Sequence, residues 1–192
     1  MVGEPKFSMA AEIFLINDQL VLRPVQSVTA AQVYPLMAAC YPPVYAHLWE
    51  DGGQWYLDQV FSPAAVLRDL AEADTPYWFV EWQGQRVGIL RLCLHLASPE
   101  FPDQNALKLH RIYLHPAAHG LGIGQALMDY TLAQARRLGK ATIWLEAMDT
   151  QTAALGFYEK QGYTTYATFR LTFEQMHPHL RGMVRMQRQV EL

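Results

Sequence analysis

The stretch from His115 to Gly124, HPAAHGLGIG, places three glycines at alternate positions. It lies between an apolar run, LKLHRIYL, and a long segment of helical period, IGQALMDYTLAQARRLG. A strand that feeds a glycine turn and then a helix is an anion-binding arrangement. The first N–H groups of a helix lack intrahelical partners and carry partial positive charge, and glycine removes the Cβ atoms that would keep a ligand at a distance. Two familiar phosphate loops do not fit. A nucleotide-triphosphate loop closes on Gly-Lys-Ser/Thr, whereas Gly124-Gln125-Ala126 follows here. A dinucleotide fold needs GxGxxG, yet Gln125 stands where the third glycine belongs. Glu146 could pass for its ribose acid, but too little chain follows for the rest of a doubly wound sheet, and antiparallel strands precede the loop.

The flanking pattern predicts one mixed α/β domain over residues 11–192, with residues 1–10 as a loose arm. LVLRPV reads as a first strand closed by Pro24. SVTAAQVYPLMAAC reads as a helix capped by Ser27 or Thr29, with Pro35 bending or breaking it. SPAAVLRDLAEA has Ser62 as cap and Pro63 at the first helical position. YWFVEW and VGILRLCLHL form a hairpin turning at Gly84, and ALKLHRIYL leads to the glycine loop. After the long helix, which ends at Gly139, ATIWLEAM is a strand. TQTAALGFYEKQG is a short helix with Thr150 or Thr152 as cap and Gly162 as stop. YTTYATFRL and MVRMQRQV close the chain. The expectation is a largely antiparallel sheet of about seven strands flanked by helices.

Composition narrows the function. About half of the 192 residues are hydrophobic, enough for a sizeable core. The net charge of −3 argues against nucleic acid or an anionic membrane as partner, since both attract a basic field. Cys40 and Cys93 form no CxxC and read as free thiols of a reducing compartment. No secretory signal is visible, and VGILRLCLHLA is too short to span a membrane and contains Arg91. The expected location is cytoplasmic. His115 and His119 are four apart, but Pro116 and the loop remove the helical geometry of a metal site, and His177 and His179 lie far along the chain, so no metal is expected.

Two motifs together resemble the GNAT superfamily of N-acetyltransferases. The family's Q/R-x-x-G-x-G/A pattern matches His119-Gly120-Leu121-Gly122-Ile123-Gly124, with histidine in place of arginine or glutamine. Its second pattern matches Leu145-Glu146-Ala147, Gln151, Ala154, Phe157-Tyr158-Glu159-Lys160 and Gly162-Tyr163, with Gln151 in place of the usual asparagine. The match spans Leu107 to Tyr163. A looser likeness to polyamine (spermidine/spermine-type) N-acetyltransferases runs through YPPVYAHLWEDGGQWYLDQVFSPAAVLRDL.

The resemblance implies acetyl-CoA as co-substrate. The backbone of Ile112, Tyr113 and Leu114 would hold the carbonyl and pantetheine arm. The amides from His119 through Gly120, Leu121, Gly122, Ile123 and Gly124 to Gln125 would hold the pyrophosphate. His119 would weaken a side-chain contribution and make it pH-dependent. Gln151, whose amide both donates and accepts, would contact the pantetheine or nucleotide. Tyr158 falls at the position of the general acid. A phenol near ~10 and a thiol near ~8.5 make that proton transfer plausible.

His110 falls where small-amine acetyltransferases often carry a carboxylate, and a pKa near ~6.5 suits a base, with Glu146 as rival. Tyr41, Tyr45, Trp49, Trp55 and Tyr56, beside Glu50, Asp51 and Asp58, form either a pocket for a cationic amine or ordinary packing with solvated acids. The expected acceptor is a small polyamine-like amine. A protein lysine or N-terminus, and a non-catalytic acyl-CoA-binding regulatory module, stay open, as does a homodimer.

Overall fold

The computed structural model describes residues 12–191; the arm expected at 1–10 lies outside them. The chain runs β1 (Phe14–Leu15), β2 (Leu20–Pro24), α1 (Val33–Cys40), α2 (Pro42–Tyr45), α3 (Gln54–Phe61), α4 (Pro63–Ala71), β3 (Tyr77–Trp82), β4 (Gln85–Cys93) and β5 (Ala106–Leu114). Then follow α5 (Ile123–Arg137), β6 (Thr142–Met148), α6 (Thr152–Lys160), β7 (Thr164–Arg170) and β8 (Gly182–Gln189). The strands form one sheet in the order β1-β2-β3-β4-β5-β6-β8-β7. Only β5 and β6 pair in parallel. The sheet has eight strands rather than seven, because a two-residue edge strand, Phe14↔Leu22 and Leu15↔Val21, joins β2. A strand that short leaves no alternation to read.

Helices cover both faces of the sheet, which explains why its central strands are apolar throughout rather than alternating. Along β3, Trp78 and Val80 pack on the α5 face with Leu127 and Met128, while Tyr77 and Phe79 pack on the opposite face with Val33 and Phe61. The β3–β4 hairpin turns at Gln83 and Gly84, both with positive φ (49° and 79°), the mirror-image turn that suits right-twisted strands.

Local chemistry sets the helix limits. The Ser62 hydroxyl accepts the Ala65 N–H at 3.4 Å, and Pro63 starts α4. α5 ends where Gly139 takes φ 61° and Lys140 N–H reaches back to the Ala135 carbonyl at 2.9 Å. Other expected caps are corrected. Pro35 falls within the first turn of α1, where proline is tolerated; the segment before it, Ser27–Gln32, is a 3-10 helix whose Thr29 hydroxyl accepts the Gln26 N–H at 2.9 Å. Gln151, not Thr150 or Thr152, caps α6 and does so without a side-chain bond. β4 stops at Cys93, short of His95 and Leu96.

Gly88 of β4 lies opposite Leu114, where a Cβ would strike the Tyr113 carbonyl and the Leu114 side chain. The backbone of β5 would have to shift to admit one. Gly88→Ala is expected to cost about 1–3 kcal/mol of stability, read as a lower midpoint in urea unfolding.

Candidate active site

β5 and β6 are paired only from Ala106↔Thr142 to Lys108↔Trp144. Beyond that the strands part, and the facing edge of β5 is left with backbone groups that no neighbouring strand satisfies. The cleft between them encloses about 60 Å³. Leu109 to Tyr113 line one side and Leu145 to Met148 the other, with Gln151, Ala154 and Tyr158 at the α6 end and Tyr45 reaching in from α2. Because side chains alternate along a strand, both faces of the sheet contribute: Leu109, Ile112 and Leu145 belong to the α5 side, Tyr45, Tyr113 and Met148 to the aromatic side. Ile112 and Tyr113 both line the cleft. Leu114 does not line it; it packs further along on the α5 side.

The glycine loop lies at the head of α5. Gly120 and Gly122 hold φ of 78° and 75°, and nothing stands within 4 Å of where a Cβ would project from either. Gly122 is the cap residue, and Ala126 N–H is the donor to its carbonyl at 3.1 Å. The N–H groups of Ile123, Gly124 and Gln125 precede that bond and have no carbonyl a turn earlier to accept them. This cradle fits a pyrophosphate. It is shorter than expected, because the His119 N–H is already given to the Pro116 carbonyl at 3.0 Å. The His119 side chain is exposed, as is Leu121. The Gln125 amide is tied to Gln161 at 2.8 Å and Asp129 at 2.9 Å, joining α5 to the end of α6. Gly124 lies under the Phe157 ring, 3.4 Å from where its Cβ would be. His115 accepts the Ala117 N–H through Nδ1 at 3.2 Å and so caps a local turn.

Tyr158 is half-buried at the cleft, its ring 5.6 Å from that of Phe157 and 6.1 Å from that of Tyr163. Burial first, then Tyr45 and Tyr163, push its phenol well above the ordinary value, so it keeps its proton through the neutral range. Burial also pushes Tyr45 up to about 12. Glu146 has both carboxylate oxygens engaged, Oε2 with Lys108 Nζ at 2.8 Å and Oε1 with Arg185 Nε at 2.9 Å. Burial alone would raise its carboxyl, but the charges and hydrogen bonds of Lys108 and Arg185 hold it below the usual range.

His110 occupies a bulge. Arg91↔Arg111 and Leu92↔Leu109 are register partners, which leaves His110 as the extra residue of β5. Its Nδ1 lies 2.6 Å from Arg91 Nη1. A guanidinium only donates, so Nδ1 accepts and the ring proton sits on Nε2. Burial, followed by the charges of Arg111, Arg91 and Lys108, lowers the imidazole pKa to about 2.

Arg91 is only 1% exposed and is held by Asp69 at 3.2 Å and Glu72 at 2.6 Å, while Arg111 also pairs with Asp69. No motif announces this network. Its one sequence signal is an arginine inside the apolar run VGILRLCLHLA, a position that requires a buried counter-charge. The partners come from α4 and the residue that follows it, 22 and 19 residues earlier.

The aromatic side of the cleft is a continuous stack. Tyr41 lies 4.7 Å from Tyr45 and 4.8 Å from Tyr56, and Trp49 5.2 Å from Tyr56 and 5.7 Å from Trp55. Tyr41 and Trp49 are buried and joined by a Trp49 Nε1 bond to the Tyr41 hydroxyl at 2.9 Å, so these two are packing. Asp51 caps α3, accepting the N–H groups of Gly53 and Trp55, and Asp58 accepts from Tyr34 and Gln54. Glu50 is exposed. Above the stack, Glu50 N–H bonds to the Gln175 carbonyl at 2.9 Å and His177 N–H to the Leu48 carbonyl at 2.9 Å. These bonds fasten the β7–β8 loop to the segment before α3 as a roof. Among the described residues, no three His, Cys, Asp or Glu side chains gather as metal ligands, and no helix is long and apolar enough to cross a membrane.

A parted parallel strand pair beside a glycine-headed helix is the architecture of an acyl-coenzyme A transferase. The sequence model of the acetyltransferase (GNAT) family matches residues 30–163, and the chain belongs to that family, whose co-substrate is acetyl-CoA. An N-acetyltransferase of Mycobacterium bovis is 32% identical over 145 residues, which cover 74% of this chain and 84% of the relative. One from Lactobacillus delbrueckii subsp. lactis is 25% identical over 112 residues, 58% of this chain and 65% of the relative. Mycothiol acetyltransferase of Geodermatophilus obscurus is 35% identical over 95 residues, 49% of this chain. The match spans only 30% of that enzyme, so the chain covers less than two thirds of either of these last two relatives.

Among solved structures, a ribosomal alpha-N-protein acetyltransferase in complex with coenzyme A superposes with a TM-score of 0.70 at 15% identity, covering 93% of this chain and 98% of that one. A spermidine N-acetyltransferase variant from Vibrio cholerae gives 0.63 at 15% identity, covering 90% and 95%.

The His110 surroundings fix a pH dependence of stability. Between about 2 and the ordinary value near ~6.5, the unfolded chain binds a proton that the folded chain refuses, so stability falls as pH drops below ~6.5. His110→Gln is expected to flatten this part of the profile, measured by urea unfolding from pH 4 to pH 8.

Proposed function

We propose that the protein transfers the acetyl group of acetyl-CoA to the primary amine of a small, polyamine-like acceptor. The observation that carries this reading is a cleft lined by the free edge of β5, Tyr158 and the rings of Tyr45 and Tyr113, with the glycine cradle heading the helix α5 that packs on the same sheet. The amides at the head of α5 hold the pyrophosphate, and the backbone at Ile112 and Tyr113 takes the pantetheine arm. Gln151, at the cleft end of α6, offers its amide to the same arm.

Acyl transfer needs a neutral amine, a polarised carbonyl and a proton for the departing thiolate. Tyr158, which lines the cleft, supplies the proton; burial raises its phenol above the ordinary value and weakens it as an acid, so the role rests on its placement at the cleft. Glu146 has no unpaired oxygen, and His110 Nδ1 is occupied, so neither takes the proton of the amine. The amine gives it up to water on its way in. Tyr45 and Tyr113, which line the cleft, attract the cationic form through their rings. A protein N-terminus, which also presents a primary amine at a chain end, is the second reading.

Thiol release measured with a panel of diamines, polyamines, N-terminal peptides and lysine peptides tests the proposal. Turnover is expected to be highest with the polyamine-like acceptors. Tyr158→Phe should lower kcat by about 10²-fold with KM for acetyl-CoA little changed. Tight coenzyme A binding without product from any amine would sink the enzymatic reading, and undiminished turnover in the phenylalanine variant would sink the acid assignment.

A further inference from the structure

The bulge in β5 places at the cleft an imidazole that the surrounding residues have stripped of basicity. Four observations bear on its role. His110 lines the cleft between the parted strands. Its Nδ1 is taken by Arg91 at 2.6 Å, which leaves the proton on Nε2. Among the described residues, no hydrogen bond engages Nε2, and that nitrogen is not among the buried polar atoms lacking a partner, so it keeps some exposure on a residue that lines the cleft. Arg91 itself cannot swing away: it is 1% exposed and held through Nη1 by Asp69 and through Nη2 by Glu72 and Thr75.

An imidazole in this state has one unengaged donor and no unengaged lone pair. We propose that His110 is a neutral hydrogen-bond donor to the acyl oxygen, with Arg91 as the positioning residue that fixes its tautomer. The proposal rests on the acetyl-transfer reading above. A donor aimed at an oxygen that gains negative charge stabilises the transition state more than the ground state, and needs no proton transfer of its own. A neutral imidazole suits the task because it stays neutral beside cations that would repel an imidazolium. The groups facing it are Arg91 from β4, Lys108 and Arg111 from its own strand, Asp69 and Glu72 behind the two arginines, Glu146 across the cleft, and the tyrosines Tyr45, Tyr113 and Tyr158. Asp69 and Glu146 are already neutralised by ion pairs, so no free carboxylate is left to draw a proton onto the ring.

The first test needs no turnover. Nitrogen-15 NMR of the full chain is expected to show His110 with Nε2 protonated and Nδ1 bare from pH 5 to pH 8. The Nε2–H signal should move downfield with the ketone analogue acetonyl-CoA but not with free coenzyme A. A ring that carries its proton on Nδ1, that titrates near ~6.5, or that responds alike to both ligands overturns the proposal.

The second test is kinetic. His110→Leu should lower kcat about 10²-fold with KM for acetyl-CoA within a factor of about three, while His110→Gln, which retains an N–H, recovers most of the loss. Arg91→Met should mix the tautomers in the NMR spectrum and lower kcat, with Arg91→Lys restoring both. Equal turnover of the leucine variant and the wild type overturns the donor role. Absence of product from any amine, with the NMR result as expected, overturns the acetyl-transfer reading and leaves the histidine assignment standing.

Discussion

The parallel pairing of β5 and β6 stops after three residue pairs, and the rest of the site depends on that interruption. Had the ladder continued, the β5 edge would be consumed by strand hydrogen bonds and no opening would pass through the sheet. The parting is stabilised from both sides. β5 remains paired to β4 as far as Gly88↔Leu114, and β6 is paired to β8 along its whole length from Thr142↔Gln189 to Met148↔Met183. Each strand thus has one satisfied edge and one free edge. A rigid sheet can hold an open seam only under that condition.

Charge accompanies the seam on the aromatic face. Lys108, Glu146 and Arg185 tie β5, β6 and β8 together beside it, with Arg185 also pairing with Glu100 of the β4–β5 loop. Arg91, Arg111 and Asp69 tie β4 and β5 to α4. Burying one member of either group without its partners would leave an uncompensated charge in the core. These groups therefore behave as units, and they control which nearby side chains can exchange protons. Burial and the charges of Arg111, Arg91 and Lys108 make His110 a poor base, whereas burial together with Tyr45 and Tyr163 raises the Tyr158 phenol.

Much of this was legible before any coordinates. The strand, glycine turn and helix from Ala106 to Arg137 follow from local chemistry, since each is encoded by neighbours in sequence. The placement of Tyr158 and Gln151 at the cleft follows from the family motif. What stayed hidden is non-local. The helix α3 carries no start signal of its own; it begins after Gly52 and Gly53, both at positive φ, and is capped by Asp51 from outside. His110 and Glu146 read as bases because a sequence names residue types, not their counter-ions. Their partners Arg91 and Arg185 are 19 and 39 residues away. Loss of the His119 amide from the cradle depends on a single carbonyl, that of Pro116, whose direction only the folded turn fixes.

The roof has a consequence for how this surface can evolve. Residues 48–50 and 175–177 come from distant parts of the chain, yet they share backbone bonds beside the aromatic stack. Neither loop can be lengthened or shortened alone without breaking the other's pairing. Change on this surface is therefore easier through side chains such as Tyr45, Tyr56 or Phe173 than through insertions. The glycine loop carries no such coupling, because it is the backbone of one contiguous turn.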